Sequence, residues 1–277
     1  AVANLSSIIA AMVMRSCSSA GLDDGLTTVI GILVALLVGA VAGTINGFLI
    51  GTLRVPPILA TLATMTLWGG VATVLTNGVS ISGGTTALQA IGTQAIAGIP
   101  ITVLILIGCI VGVWIFLNHT PLGVKTYLLG ANSRAALFSG VNNGRVTLAV
   151  NGTSGMLASI AGIINLARTS SANPSYGASY ILLTILIAVL GGVSVSGGAG
   201  RVAGVILALA SLQMLSTGFN MILVNNGDSN FFKNFAWGLL LLLVVSTSRL
   251  SFRRLARSGR GRIRPTDSQA TEPEARS

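Results

Sequence analysis

"GLTTVIGILVALLVGAVAGTINGFLIG", residues 25–51, runs for 27 positions without one charged side chain. A helix needs about 20 mostly apolar residues to cross a bilayer, so this stretch is long enough to span one. Within it Gly31, Ala35, Gly39, Gly43, Gly47 and Gly51 recur every four residues. That spacing draws one slowly drifting ridge almost bare of side chains, along which another helix can come close. The ridge reads either as static close packing or as a helix contact that moves.

The same pattern extends along most of the chain. Apolar runs at 57–76, 101–117, 147–167, 180–192, 202–224 and 231–248 predict further full or near-full spans. Residues 1–14 predict one more, incomplete at its start, with neither a basic n-region nor a cleavage site of a signal peptide. Composition agrees. The 277 residues are 52% hydrophobic and only 8% charged, against roughly 25% charged in soluble domains. Mean hydropathy is +0.84. Glycine, at 35 residues, has about twice its ordinary usage, which suits close helix packing in lipid. The expected fold is all-α, a polytopic transmembrane bundle of about eight membrane segments. Residues 1–248 form its membrane domain and 249–277 a basic, disordered tail.

The formal net charge of +10 is concentrated at one end. Eight of the sixteen Lys and Arg residues follow from Arg249 onward, beside Asp267, Glu272 and Glu274. A basic tail just past an apolar helix reads as a cytoplasmic anchor near anionic membrane lipid. No aromatic interleaving points to a nucleic acid. Alternating back from a cytoplasmic tail puts Arg54, Lys125, Arg134, Arg145 and Arg201 on the inner side. Arg15, Arg168, Lys233, Asp23, Asp24 and Asp228 fall outside. The uncharged segment 77–100 also falls outside, as a re-entrant or surface-lying loop or as a plain flexible one.

No catalytic constellation is present in the sequence, and an enzyme is not expected. His119 is the only histidine, so a triad or a metal cluster has no partners. Cys17 and Cys109 lack ligand-like spacing and read as packing residues. No acidic residue lies inside a predicted span, which argues against a proton- or sodium-coupled carrier. No GxxxxGK[ST] phosphate loop occurs either, so no cofactor is expected on this chain. The spans do carry uncharged polarity at Asn46, Thr64, Thr66, Asn151, Asn165, Gln213 and Asn220. Such groups either bond helix to helix or line a path for a hydroxyl-rich neutral solute. Asn46, Thr64, Asn151, Asn165 and Asn220 are the candidates for the path.

Two inner-side segments stand apart. In "TPLGVKTYLLGANSRAALFSGVNNGRV", residues 120–146, Pro121 and Gly123 break the preceding span. Asn132 or Ser133 can cap a short helix with Ala135, Ala136, Leu137 and Phe138 as its body and Gly140 as its stop. Under two turns, such a helix is unstable alone. It lies either in a partner's groove or back on its own helix ends. "GGVSVSGGAGRVAG", residues 191–204, has a glycine content that permits tight turns and close backbone approach, but no lysine follows it to hold a nucleotide.

With these pieces the chain resembles permease subunits of ribose/xylose/arabinose-type ABC importers. The resemblance is carried in family order by "GTINGFLIGTLRVPPILATLATMTLWGGVATVLTNG" at 43–78, "LGVKTYLLGANSRAALFSGVNNGRV" at 122–146, "GTSGMLASIAGIINLAR" at 152–168 and "LGGVSVSGGAGRVAGVILALASLQMLSTGFNMI" at 190–222. It implies a bacterial inner-membrane permease paired with a second permease copy or a related permease. It further implies a cytoplasmic ABC ATPase that holds ATP and Mg, and an extracytoplasmic sugar-binding protein. Gly130, Asn132, Ala135, Ala136, Ser139 and Gly140 would then shape a segment that couples to the ATPase. Leu137 and Phe138 would supply apolar contact and Arg134 an ionic one. The resemblance also implies helices before residue 1, ending in a motif like GGIDLSVG, so the domain is expected to be N-terminally truncated relative to the family. Two rival readings stay open: a self-sufficient carrier or facilitator for a small neutral solute, and a truncated subunit that does not transport.

Overall fold

The computed structural model describes residues 1–96, 98–194, 197–222, 235–244 and 246. In chain order the elements are α1 (Val2–Ser19), α2 (Asp24–Gly51), α3 (Pro57–Thr76), β1 (Ile81–Ser82), α4 (Thr86–Thr93), β2 (Ala95–Ile96) and β3 (Ile99–Pro100). There follow α5 (Ile101–His119), α6 (Pro121–Ala131), α7 (Ser133–Phe138), α8 (Asn143–Thr169), β4 (Ser171–Ala172), a 3-10 turn at Tyr176–Tyr180, α9 (Ile181–Leu190) and α10 (Val202–Ile222). A last helix, α11, covers Phe235–Val244. The four strands are two residues each and only staple loops, pairing β1 with β4 and β2 with β3. Five described helices, α2, α3, α5, α8 and α10, are long and apolar enough to cross a membrane. The tail at 249–277 and part of the 231–248 span lie outside the described residues.

Local chemistry sets the helix ends. Asp23 accepts from the Gly25 N–H at the start of α2, and Asn142 from the Arg145 N–H at the start of α8. α3 stops at Asn77 and α8 at Ser170, both left-handed with φ +51°. Pro121 does interrupt the preceding span, but it does so as the first residue of α6, with Thr120 capping the Gly123 N–H.

The glycine ridge of α2 packs against α8, and the two run antiparallel. A Cβ on Gly39 would stand 1.9 Å from the Ser159 hydroxyl and 2.4 Å from the Gly155 carbonyl oxygen. Further along, Gly43 meets the Asn151 carbonyl, Gly47 meets Leu148 and Gly51 meets Gly144. On the opposite face of α2, Leu26, Val29, Leu33, Leu37, Val41 and Phe48 are all exposed. A helix that buries glycine and exposes leucine inverts the soluble pattern and suits a lipid surround.

α1 sits against α2, α3 and α8 and is the most enclosed helix. Its Ile8, Ala10 and Ala11 have no exposed surface, and they pack with Ala35, Leu88 and Leu166. Segment 77–100 includes α4, which Thr85 caps through the Leu88 N–H and which Leu88 anchors in the core.

Charges separate to the two ends of the bundle. Gly51 against Gly144 brings Arg54 and Arg145 to one end, and contacts described below add Lys125, Arg134 and Arg201. At the other end Asp24 accepts from the Thr86 hydroxyl, and Gly92 of α4 packs on Ala167 and Arg168. Arg15 and Asp23 lie there too. Lys233 and Asp228 fall outside the described residues.

Candidate translocation and coupling site

The five candidate path residues sit on four helices, α2, α3, α8 and α10. Asn46 of α2 is half-buried, and its buried Oδ1 accepts no hydrogen bond among the described residues. Asn151 of α8 donates through Nδ2 to the Thr147 carbonyl at 2.9 Å, one turn back along its own helix. Thr64 of α3, buried, donates to the Thr61 carbonyl at 3.2 Å, and Thr66 donates to Ala63 at 2.8 Å. Asn165 of α8 is half-buried and Asn220 of α10 is exposed. Among the described residues no hydrogen bond joins any two of the five. Bonding back to its own helix satisfies a donor without a second helix and leaves oxygen lone pairs open.

Some buried polarity lies outside the residues that the sequence singles out. Asn4 on α1 is buried, donates through Nδ2 to the Pro174 carbonyl and accepts from the Gly177 N–H at 3.0 Å. It fastens α1 to the turn that precedes α9. The hydroxyls of Thr28 and Thr85 bond to each other and tie α2 to α4. A cleft of about 400 Å³ opens nearby, between α1 and the β1–α4 loop, lined by Arg15, Ser18, Ser19, Ser82 and Thr85. The signal for Asn4 was a lone amide among Ala3, Ser6, Ser7 and Ala10, small residues that mark a helix packed on every side.

At the basic end the short helix α7 is present and its cap is Asn132. The Asn132 Oδ1 accepts from the Arg134 and Ala135 N–H groups at 3.0 and 3.1 Å. Gly140, at φ +76°, ends it. One face turns inward: Ala136 is buried against Val141 and Val146, with Leu129 and Val150 around them. Asn143 donates to the Ser133 carbonyl and holds α7 on the start of α8. The other face turns away, leaving Leu137 60% and Phe138 90% exposed. Arg134, Ala135 and Ser139 are exposed beside them. So the segment both folds back and presents an apolar edge.

Gly130, at the end of α6, has a different role in the geometry. A Cβ there would stand 2.4 Å from the backbone nitrogen of Gly198. The glycine-rich connection between α9 and α10 therefore rests directly on α6. Tyr127 of α6 donates its hydroxyl to the Gly200 carbonyl at 3.2 Å. Beside this contact a cleft of about 380 Å³ separates α5 from α10, lined by Val111, Trp114, Asn118, Tyr127, Arg201 and Ile206 among others.

Comparison with known proteins gives one consistent answer. The family model described as branched-chain amino acid transport system / permease component matches residues 1–245. The ribose import permease protein of Bacillus subtilis is 37% identical over 246 residues, covering 88% of this chain and 75% of that protein. The ribose import permease protein of Escherichia coli K12 is 36% identical over 220 residues, 78% of this chain and 67% of that protein. The autoinducer 2 import system permease protein of Yersinia enterocolitica is 34% identical over 237 residues, 83% of this chain and 70% of that protein. No solved structure gives a significant match.

Proposed function

The chain belongs to the branched-chain amino acid transport system / permease component family, a multi-pass membrane permease of ABC importers rather than an enzyme, and from that membership we propose its role in import. It is the translocating subunit of a binding-protein-dependent importer in the bacterial cytoplasmic membrane. Its solute is a sugar or a similar small polar molecule, and the ATP is hydrolysed on a partner subunit. The relatives named for ribose and autoinducer 2 support that solute class over amino acids. A neutral hydroxyl-bearing solute also suits spans whose polarity is amide and hydroxyl without charge. Asn46, with an open buried acceptor, and Thr64, Asn151, Asn165 and Asn220 would serve it.

The observation that carries this role is α7. A capped helix of six residues at the basic end keeps its small face inward and holds Leu137 and Phe138 outward. Positive loops mark the cytoplasmic side, which is where an ABC ATPase docks. Gly130, Asn132, Ala135, Ala136, Ser139 and Gly140 shape the segment, while Leu137 and Phe138 fill an apolar groove of the ATPase. Arg134 pairs with an acidic residue at its rim. The remaining partners are an extracytoplasmic sugar-binding protein and a second permease.

The test is the double variant Arg134→Ala, Phe138→Ala, produced in the native membrane. It should insert in normal amount, because both side chains are exposed, and lose its ATPase during isolation. Retention of the ATPase at the wild-type ratio would contradict the docking role.

A further inference from the structure

We infer that the contact of Gly130 with Gly198, closed by Tyr127 and Gly200, is the link that carries ATPase-driven motion from the α6–α7 segment into the α9–α10 pair. The inference rests on the docking role of α7 proposed above. Its own basis is how α9 and α10 are attached. They pack on each other, with the Gly191 and Gly204 backbones in close approach, and on α11, where Leu186, Leu212 and Trp237 share one buried cluster; α9 also meets the 3-10 turn before it. Among the described residues neither packs extensively on α1, α2, α3 or α8. A helix group packed so little on that core is free to follow its connection to α6.

That connection is fixed at backbone level. A Cβ on Gly198 would stand 2.7 Å from both the nitrogen and the Cα of Ala131, and one on Gly197 would stand 3.3 Å from the Gly130 Cα. Gly197 and Gly198 are left-handed, at φ +88° and +77°. Two constraints therefore require glycine at 198: the positive φ and the space. Backbone against backbone leaves no flexible side chain between α6 and the loop to absorb a displacement. The Ser194 N–H donates to the Ala199 carbonyl at 2.9 Å. α6 continues into α7 through Asn132, so Leu137 and Phe138 connect to Gly198 along one short path. Gly130, Tyr127 and Gly198 are positioning residues on this account; none touches solute or nucleotide.

The experiment uses the complex isolated from native membranes, with Cys17 and Cys109 replaced by serine. Spin labels go on exposed positions of the fixed core and of the moving pair, Leu37→Cys on α2 and Met214→Cys on α10. The distance between them is measured without nucleotide and in the ATP–vanadate state. The wild-type distance should shift between the two states. In Gly198→Ala, outside the docking segment, the ATPase should remain bound and hydrolyse ATP, while the shift disappears. Tyr127→Phe keeps the shape and removes only the bond to Gly200; it should reduce the shift, and it decides the matter if the alanine variant fails to assemble. A full wild-type shift in a variant that assembles would overturn the link. Absence of an ATPase from the wild-type complex would instead overturn the docking role on which the link depends.

Discussion

Phe138 has the highest exposure of the large apolar side chains described, and it sits on a helix too short to persist unaided. A residue so placed is informative because its removal costs the fold little. Phe138→Ala should weaken ATPase association by about 2 kcal/mol, roughly thirtyfold, as truncating a central aromatic anchor does. Titrating purified ATPase against the permease in nanodiscs checks this. Asn4 is the opposite case. Asn4→Ala leaves the partly buried Pro174 carbonyl and Gly177 N–H without this partner, at about 1 kcal/mol each. It should lower the unfolding temperature in detergent while ATPase association persists; an unchanged temperature would count against the described seat of α1. The sequence pointed to Phe138 because capping and helix stop are local signals, readable from Asn132 to Gly140. It did not point to Asn4, whose partners are 170 and 173 residues away.

Between elements, the α2–α8 seam dominates. Gly39→Val should force the two helices apart, since a Cβ there would meet Ser159 and the Gly155 backbone. Overpacking of this kind costs about 1–3 kcal/mol where neighbours can yield, and a backbone carbonyl yields least. Gly69→Ala is the matched control. Nothing lies within 4 Å of its Cβ position, and alanine gains about 0.8–1 kcal/mol in a helix interior. Thermal unfolding of both variants checks the contrast, and equal behaviour would contradict the seam. The ridge on α2 was legible because its spacing is regular. Its partner was not: Gly144, Gly152 and Gly155 on α8 are irregularly spaced, and only packing selects them. α4 was missed for a related reason. Eight residues with two threonines and a glycine have weak helical preference, and burial of Leu88 together with Gly92 against α8 makes the helix.

At the scale of the whole molecule, the described helices include a tightly packed α1–α2–α8 core and a separate α9–α10–α11 group, with α6 joining them at the basic end. The membrane class was plain from hydropathy, and the sorting of charge to two ends followed from alternation of spans. A solute path was not plain from either. Thr64 and Asn151 bond back to their own helices, while the Asn46 Oδ1 is buried without a partner among the described residues, so hydrogen bonding does not say which of the five share a lumen. On the proposed role the labour is divided: this chain would provide the route, and another chain would supply the energy. The direct test is to isolate the protein from its own membranes in mild detergent, identify the chains that accompany it and measure ATP hydrolysis. The account predicts a stoichiometric ABC ATPase and hydrolysis that is lost with Arg134→Ala, Phe138→Ala. Recovery of the permease without any ATPase in several detergents would contradict it.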